Sequence, residues 1–353
     1  MRQTFTIRDR RVGAGAPCFV IAEAGSNHNN DLDVARALIE AAAEAGADAV
    51  KFQTFKASKL YTRAAGQSDY LGDARSIFDI IEAMEMPEAW LPTLRELTHA
   101  RGMAFISTPF HEEAVGLLDE HVDAFKIASY ELTHHPLLRE VAACGKPVIM
   151  STGAATMAEI DEAVAVLKEA GCDALVLLQC TAAYPAPPSS INAAAIPALR
   201  ERFGVQAGLS DHSRDPVAAP MTAAALGAAV IEKHYTLSNR LPGPDHAFAV
   251  EPRELGRLVR RVREVEAILG SGLKEVHAVE EELRHFARRS LFTTAAIKAG
   301  ERLTRENIDV LRRGKQAEGL DPSWLDRVLG ATAARDLGPN QPLQAADVTS
   351  PGL

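Results

Sequence analysis

Along roughly the first 270 residues, short apolar runs of strand length alternate with longer segments of amphipathic helical period. The apolar runs are CFVIAEAG, AVKFQTF, MAFISTPF, AFKIASYE, KPVIMSTG, ALVLLQCT, VQAGLSDH and AVIEKHYTL. Between them lie segments such as DLDVARALIEAAAEAGA, TMAEIDEAVAVLKEAGC and EPRELGRLVRRVREVEAILG, several ending in a glycine just before the next strand. Strands alternating with helices in this way predict a parallel sheet. Eight such units in this span match an α/β (β/α)8 TIM barrel, whose usual size is about 250 residues. A doubly wound open sheet is the alternative, but no Gly-x-Gly-x-x-Gly follows the first strand. Residues 56–86 form a long connection containing YTRAAGQSDYLGD, read as a lid or as packing decoration. The pattern changes after residue 270. A polar linker, 271–286, leads into a mostly β domain, 287–353, that is too small to hold much core by itself.

Charge sits where this pattern demands apolar residues. Lys51 interrupts AVKFQTF, Lys126 interrupts FKIASYEL, and Glu232, Lys233 and His234 interrupt VIEKHYTL. An unpaired buried ammonium is costly, so three such strands point to one shared polar site. In a barrel, functional groups gather where strands run into their following loops. The strand ends supply Glu23 and Asn27, Lys51 and Gln53, Ser107 and Thr108, Lys126 and Ser129. The later ones supply Ser151 and Thr152, Thr181 and Tyr184, Ser210 and His212, and Glu232 and His234. Residues at i and i+2 share a side of a strand, so Lys51/Gln53, Ser210/His212 and Glu232/His234 face one pocket.

Two lysines with several hydroxyls suit a phosphate or carboxylate. His212 and His234 suit a divalent metal that keeps open positions, whereas a structural zinc would require four protein ligands. Glu23 is a candidate acid or base. Each residue has an ordinary alternative: a lysine that snorkels, a hydrogen-bonded packing histidine, a hydroxyl that caps the next helix. Their recurrence with matching parity favours the pocket. Cys180 reads as a small buried filler, and His111, His121, His134 and His135 as surface residues. Asn27 and His28 either orient the first loop or contact a ligand.

Composition narrows the classes. Hydrophobic residues at 47% and charged residues at 24% are those of an ordinary soluble globular protein. A net charge of −9 argues against general nucleic-acid binding, so an anionic ligand needs its cations concentrated locally. The four cysteines show no Cys-x-x-Cys spacing, which indicates neither a zinc ribbon nor a disulfide scaffold. No apolar run approaches the ~20 residues of a membrane span, and MRQTFTIRDRRVGAG lacks the apolar core of a signal peptide. The expectation is a reduced, cytoplasmic protein with no membrane or nucleic-acid partner.

The stretches FVIAEAGSNHNNDLDVARALIEAAAEAGADAVKFQTF, FISTPF, FKIAS, PVIMSTG, LLQCTAAYPAP, GLSDHS and IEKHYTLSNRLPGPDHAFAVEP closely resemble the sialic acid synthase family. ARRSLFTTAAIKAGERLTRENI resembles its C-terminal antifreeze-like (SAF) domain, so the likeness covers nearly the whole chain in order. The resemblance implies condensation of phosphoenolpyruvate with an N-acyl amino sugar, N-acetylmannosamine or a 2,4-diacetamido relative, by a domain-swapped homodimer. Carried over, Lys51, Thr108, Lys126, Ser129, Ser151 and Ser210 hold phosphoenolpyruvate. Glu23 is the catalytic acid/base, with Lys51 and Lys126 sharing the catalytic centre. Gln53, Tyr184, Glu232 and Asp245 bind sugar hydroxyls, and His212 and His234 bind manganese, with magnesium or cobalt as substitutes.

Arg312 matches an arginine that reaches the sugar's acyl group in the partner subunit. Relatives typically read Lys-Arg-Pro-Gly-Thr-Gly-Ile there, whereas this chain has LRRGKQAEGL, with Arg313 in the proline's place. The match therefore falls on Arg312 or Arg313. CTAAYP carries Ala182 where some relatives place an asparagine, and PGPDH resembles the sialic and legionaminic branches rather than the pseudaminic one. The rivals are a related synthase acting on a phosphorylated sugar, which would require extra basic residues, and a non-catalytic glycan-binding protein.

Overall fold

The computed structural model describes residues 1–67 and 75–349. Part of the 56–86 connection and the last four residues of the small domain therefore lie outside the described residues. The chain divides into two compact units, Met1–Gly270 and Ser271–Leu353.

The first unit opens with an antiparallel hairpin, β1 (Thr4–Ile7) and β2 (Arg10–Gly13). Eight parallel strands follow: β3 (Phe19–Gly25), β4 (Ala49–Thr54), β5 (Ala104–Pro109), β6 (Ala124–Ile127), β7 (Val148–Ser151), β8 (Leu175–Cys180), β9 (Gln206–Asp211) and β10 (Val230–His234). Each pairs with the next and β10 closes on β3, which gives the closed barrel that the alternation predicted.

The helices follow from the sequence in the ordinary way. Leu32–Ala45 begins at Asp31, whose carboxylate accepts from the Asp33 and Val34 amides, and stops at Gly46 in the left-handed region (φ 81°). Its buried face, Ala35, Leu38, Ile39 and Ala42, has the i, i+3, i+4, i+7 spacing of one helix side. That face packs in one cluster with the outward residues Val20, Val50, Phe52, Phe105, Phe125 and Leu175 of the strands. Each fully buried Leu or Phe contributes about 1.5–3 kcal/mol.

Inside the barrel, alternation sets two layers. Phe19, Ile21, Ala49, Ala104, Ile106, Ala124, Ile149, Val176, Leu178 and Val230 form an apolar cluster, together with Phe5, Ile7 and Val12 of the hairpin. These strand positions lie early in their strands, so the hairpin stoppers the N-terminal end. The sequence reading did not foresee this plug. The next inward residues along the same strands are polar, and they open toward the C-terminal end.

Two strand-level expectations are corrected. FKIASYE is a strand only to Ile127, after which Ser129–Thr133 winds into a 3-10 turn. The linker is not merely polar: it holds a 3-10 turn, Ala278–Glu280, and a helix, Glu281–Ala287. The second unit pairs β11 (Arg289–Thr293) with β12 (Ile308–Arg312) and β13 (Thr332–Ala333) with β14 (Val348–Thr349), all antiparallel. Its core is its own, built on Leu291, Ile297, Leu303, Ile308, Val328, Leu337 and Leu343.

Candidate active site

A cavity of about 480 Å³ opens at the C-terminal ends of the barrel strands. Its walls include Glu23, Lys51, Gln53, Thr108, Lys126, Ser129, Ser151, Tyr184, Ser210, His212, Glu232, His234 and Asp245. Every predicted site residue of the first unit is thus brought to one place. Alternation along the strands brings them there: Glu23 follows Ile21, Lys51 follows Ala49, Lys126 follows Ala124, and Glu232 follows Val230 on the inward face.

The charges form a chain across the floor. Lys51 Nζ lies 2.7 Å from Glu23 Oε2 and 3.9 Å from Glu232 Oε1, and donates to Thr108 Oγ1 at 3.2 Å. Lys126 Nζ lies 3.8 Å from Glu232 Oε1, and donates to Ser151 Oγ at 2.6 Å and to the Ile127 carbonyl at 3.0 Å. Ser210 Oγ donates to Glu232 at 3.2 Å, and Gln53 Nε2 to Glu23 Oε1 at 2.7 Å. Gly25, at φ 53°, stands among these groups. A Cβ there would meet Asp245 Oδ2 at 3.3 Å and Glu23 Oε1 at 3.4 Å, besides the strain of its backbone.

Burial and pairing split the carboxyls. Burial pushes Glu23 up, against the pull of Lys51, with Glu232 adding to the rise. Burial, reinforced by Glu23, pushes Asp245 up to about 7. Burial acts on Glu232 as well, but Lys126 and Lys51 outweigh it and hold that carboxyl below its ordinary value. Among the cations, burial pulls Lys126 down against the attraction of Glu232. Lys51 suffers the same burial, yet Glu23 and Glu232 hold it above its usual value. The site therefore sets two carboxyls raised by burial, Glu23 and Asp245, beside Glu232, which the lysines hold down, and Lys51, which the carboxyls hold up.

The two histidines meet edge to face, ring centroids 5.3 Å apart, with Tyr184 stacked on His212 at 4.1 Å and Phe248 5.2 Å from His234. His212 Nδ1 lies 2.9 Å from the Thr181 carbonyl, which assigns the proton to Nδ1 and leaves Nε2 as an acceptor. Burial draws His212 down to about 4 and His234 well below the ordinary imidazole range. Both rings are thus neutral, as metal ligands must be. His234 Nδ1 and Glu232 Oε2 are buried without a hydrogen-bond partner. Among the described residues no three His, Cys, Asp or Glu side chains gather as a preformed metal cage. These residues fit an ion held by two imidazoles with its other positions left to water and substrate.

Some sequence expectations need correction. Lys233 is not in the cavity: it faces away from the barrel interior and pairs with Asp211 at 2.6 Å, both side chains essentially unexposed. Its parity, odd against Glu232 and His234, already carried that signal. His111 is not a surface residue. It is buried and caps the helix Glu112–Asp119, its Nδ1 accepting from the Ala114 amide. Asn27 serves structure, donating to the Tyr235 carbonyl at 2.8 Å, and His28 Nδ1 accepts from the Asn30 amide.

Cys180, expected as a small buried filler, is buried and lines the cavity beside His212. One residue escaped the sequence reading. Glu131 lies in the turn after β6, its Oε2 buried and unpartnered, and burial pushes it up to about 7 against backbone bonding and Lys126. Nothing in its spacing marked Glu131, because the turn replaced the period-2 strand expected there.

In the second unit the two arginines behave differently. Arg313 is buried, its Nη1 2.9 Å from Glu318 Oε1 and its Nε donating to the His285 carbonyl at 2.5 Å. Arg312, at the end of β12, has an exposed side chain.

Fold and site together define a (β/α)8-barrel enzyme with a charged, polar cavity at the C-terminal ends of its strands. The chain belongs to the NeuB family, that of the sialic acid synthases: the NeuB family model matches residues 38–274, and the SAF domain model matches residues 288–349. It is 43% identical over 350 residues to the spore coat polysaccharide biosynthesis protein SpsE of Bacillus subtilis, covering 94% of each chain. The crystal structure of SpsE matches with a TM-score of 0.66 and 99% coverage of both chains. It is 38% identical to the N,N'-diacetyllegionaminic acid synthase of Campylobacter jejuni, covering 90% of this chain and 96% of that one. The N-acetylneuraminic acid (sialic acid) synthetase of Leptospira borgpetersenii, solved with citrate, matches with a TM-score of 0.73 at 34% identity, over 80% of this chain and 96% of that one. Among the described residues no helix is long and apolar enough to cross a membrane.

Proposed function

We propose that the chain condenses phosphoenolpyruvate, an N-acyl amino sugar in its open-chain form and water, giving a nine-carbon 2-keto-3-deoxy acid and inorganic phosphate. The observation that carries this reading is the inward column of strand-end groups. Lys51 and Lys126, with Thr108, Ser129, Ser151 and Ser210, line the cavity together with Glu23, Gln53, Tyr184 and Asp245. The lysines and hydroxyls suit the carboxylate and phosphate of phosphoenolpyruvate. Gln53, Tyr184, Glu232 and Asp245 suit sugar hydroxyls.

Glu23, driven toward its protonated form by burial, is the acid. Carbon 3 of phosphoenolpyruvate uses its double-bond electrons to attack the sugar aldehyde, and Glu23 gives the aldehyde oxygen its proton. Water adds to the resulting cation at carbon 2 and loses one proton. Phosphate leaves with the electrons of the C–O bond as the remaining hydroxyl proton departs and the ketone forms. Lys51 and Lys126 neutralise charge that would otherwise build up on the departing phosphate. A divalent ion held by His212 and His234, manganese first with magnesium or cobalt as substitutes, would supply Lewis-acid polarisation of the sugar carbonyl.

The cavity also has an apolar wall that includes Phe55, Ile77, Ile81, Met84 and Phe110. Such a wall suits the methyl groups of a 2,4-diacetamido sugar, and the N,N'-diacetyllegionaminic acid synthase relative points the same way. A phosphorylated sugar is disfavoured, because among the described lining residues Lys51 and Lys126 are the only Lys or Arg side chains. The deciding experiment measures phosphate release from phosphoenolpyruvate across a panel of N-acetylmannosamine, its 6-phosphate and 2,4-diacetamido sugars, with product masses. No release with any of them overturns the reading.

We further propose a homodimer in which Arg312 of one subunit meets the sugar bound in the other. Arg313 is occupied within its own domain, whereas Arg312 is exposed. The linker carries exposed Leu273, Val279, Leu283 and Phe286, an apolar stripe suited to a partner subunit.

A further inference from the structure

Lys233 stands between Glu232 and His234 on β10, yet its side chain takes the opposite direction and is 1% exposed. Its ammonium donates to Asp211 Oδ2 at 2.6 Å, to Asp215 O at 3.2 Å, and also to the Ser213 carbonyl. All of these acceptors lie in the short stretch 211–215 that leaves β9. Asp211 Oδ1 accepts in turn from the Ser213 amide at 2.8 Å, a side-chain turn that encloses His212. The His212 carbonyl accepts from the Ala186 amide at 3.0 Å, and the ring is held by Thr181 at 2.9 Å.

A buried ion pair is often no more stabilising than well-packed apolar residues of similar volume. Stability alone therefore gives no reason for a lysine here. What the ammonium does that an apolar side chain would not is bind the turn carrying His212 to the strand carrying His234. The two strands are already in register, Lys233 opposite Asp211. The clamp extends that register past the last ladder bond, to the residue where β9 becomes loop.

We propose that Lys233, with Asp211, is a positioning residue that fixes the His212 imidazole against His234 and so sets the spacing of the pair. The proposal rests on the reading of those histidines as ligands of a divalent ion. Loss of an outer partner of a metal ligand typically costs 10–100-fold in metal affinity.

The test uses the full-length chain, stripped with chelator and titrated with Mn²⁺ by calorimetry. Wild type, Lys233→Met, Lys233→Arg, His212→Ala and Arg263→Met are compared. Arg263 pairs with Asp48 at 2.8 Å at the opposite end of the barrel, so its loss reports general destabilisation. Lys233→Met should bind Mn²⁺ 10–100-fold more weakly, Lys233→Arg should recover most of that loss, and Arg263→Met should stay within twofold of wild type. A folded Lys233→Met that binds within twofold overturns the proposal, and so does an equal loss in Arg263→Met. Should Lys233→Met fail to fold, Asp211→Asn is judged by the same criteria, since it keeps the turn oxygen and removes the ion pair. A second readout needs no metal: in ¹⁵N-histidine-labelled protein, the Nδ1–H signal of His212 should broaden or vanish in the lysine variant. If wild type binds no Mn²⁺, or His212→Ala binds as tightly, the metal reading fails. The histidine signal then decides the clamp: its loss supports positioning, and an unchanged signal overturns it.

Discussion

Lys51 and Glu23 face each other from adjacent barrel strands, Nζ to Oε2 at 2.7 Å, with side chains only 4% and 1% exposed. Each makes the other's burial tolerable, and removing one strands the other. Losing one partner of a buried pair ordinarily costs about 3–5 kcal/mol. Lys51→Met should therefore lower the melting temperature and also abolish phosphate release from phosphoenolpyruvate. The double variant Lys51→Met, Glu23→Gln should regain much of the stability and none of the activity. Calorimetry beside a phosphate-release assay separates the two effects. Near-normal turnover in Lys51→Met would show that the pair is structural only.

The lysine of the sixth strand makes a sharper test of phosphoenolpyruvate binding, because it does not depend on Glu23. Lys126 donates to Ser151, and burial lowers its affinity for its proton. Lys126→Met removes the nearer of the two ammonium groups beside Glu232, which keeps Ser210 at 3.2 Å and Lys51 at 3.9 Å. The expected loss is several kcal/mol of transition-state stabilisation. It should be read as reduced kcat/KM for phosphoenolpyruvate with the fold intact. A variant with wild-type kinetics would refute the role.

Metal dependence follows from the paired neutral imidazoles. Exhaustive chelation should abolish turnover, and manganese, cobalt or magnesium should restore it, while His212→Ala and His234→Ala should each fail to be restored. Full activity after the bound metal is shown to be gone would remove the ion from the scheme.

Asp245 makes stability depend on pH. Its carboxyl titrates near 7 in the folded chain, well above the ordinary carboxyl range of about 4. Between those values the folded state keeps a proton that the unfolded state has released, so stability falls as pH rises through this window and levels off above about 7. Asp245→Asn should remove that fall. With 24% of the side chain still exposed, the gain over wild type is expected to be about 1–2 kcal/mol at pH 8, shrinking toward pH 4. Urea unfolding of both proteins at pH 5 and pH 8 checks the sign. A difference that grows on acidification would contradict it.

The barrel was legible because short apolar runs alternate with amphipathic helices, and parity then placed Lys51 with Gln53, Ser210 with His212 and Glu232 with His234 on one face. The same parity leaves out Lys233, which is one residue out of phase with its neighbours and pairs with Asp211 instead. Other features were not legible for physical reasons. Phe5, Ile7 and Val12 fill the barrel floor, but a four-residue strand has too short a pattern to declare its partner. Glu131 lies in a 3-10 turn after β6, where neither helical nor strand period applies. His111 looked like an exposed loop residue because its capping bond to Ala114 is a local backbone contact that no spacing rule reveals.

Arg313 is held inside the small domain by Glu318 and the His285 carbonyl, so the arginine available to a ligand there is Arg312. Replacing Arg312 with Ala should raise the KM for the sugar far more than that for phosphoenolpyruvate, whereas Arg313→Ala should chiefly lower stability. If the small domain serves the partner's barrel, two impaired proteins will complement each other at sugar concentrations below the raised KM. An Arg312→Ala subunit mixed with a Glu23→Gln subunit places an intact Arg312 over an intact Glu23 in one of the two sites of each mixed dimer. Activity should then return in part, toward half a wild-type site complement per mixed dimer. The check is phosphate release after subunit exchange, with exchange itself followed by native mass spectrometry on size-tagged chains. Mixed dimers that form and remain inactive would mean that the small domain completes no site in its partner.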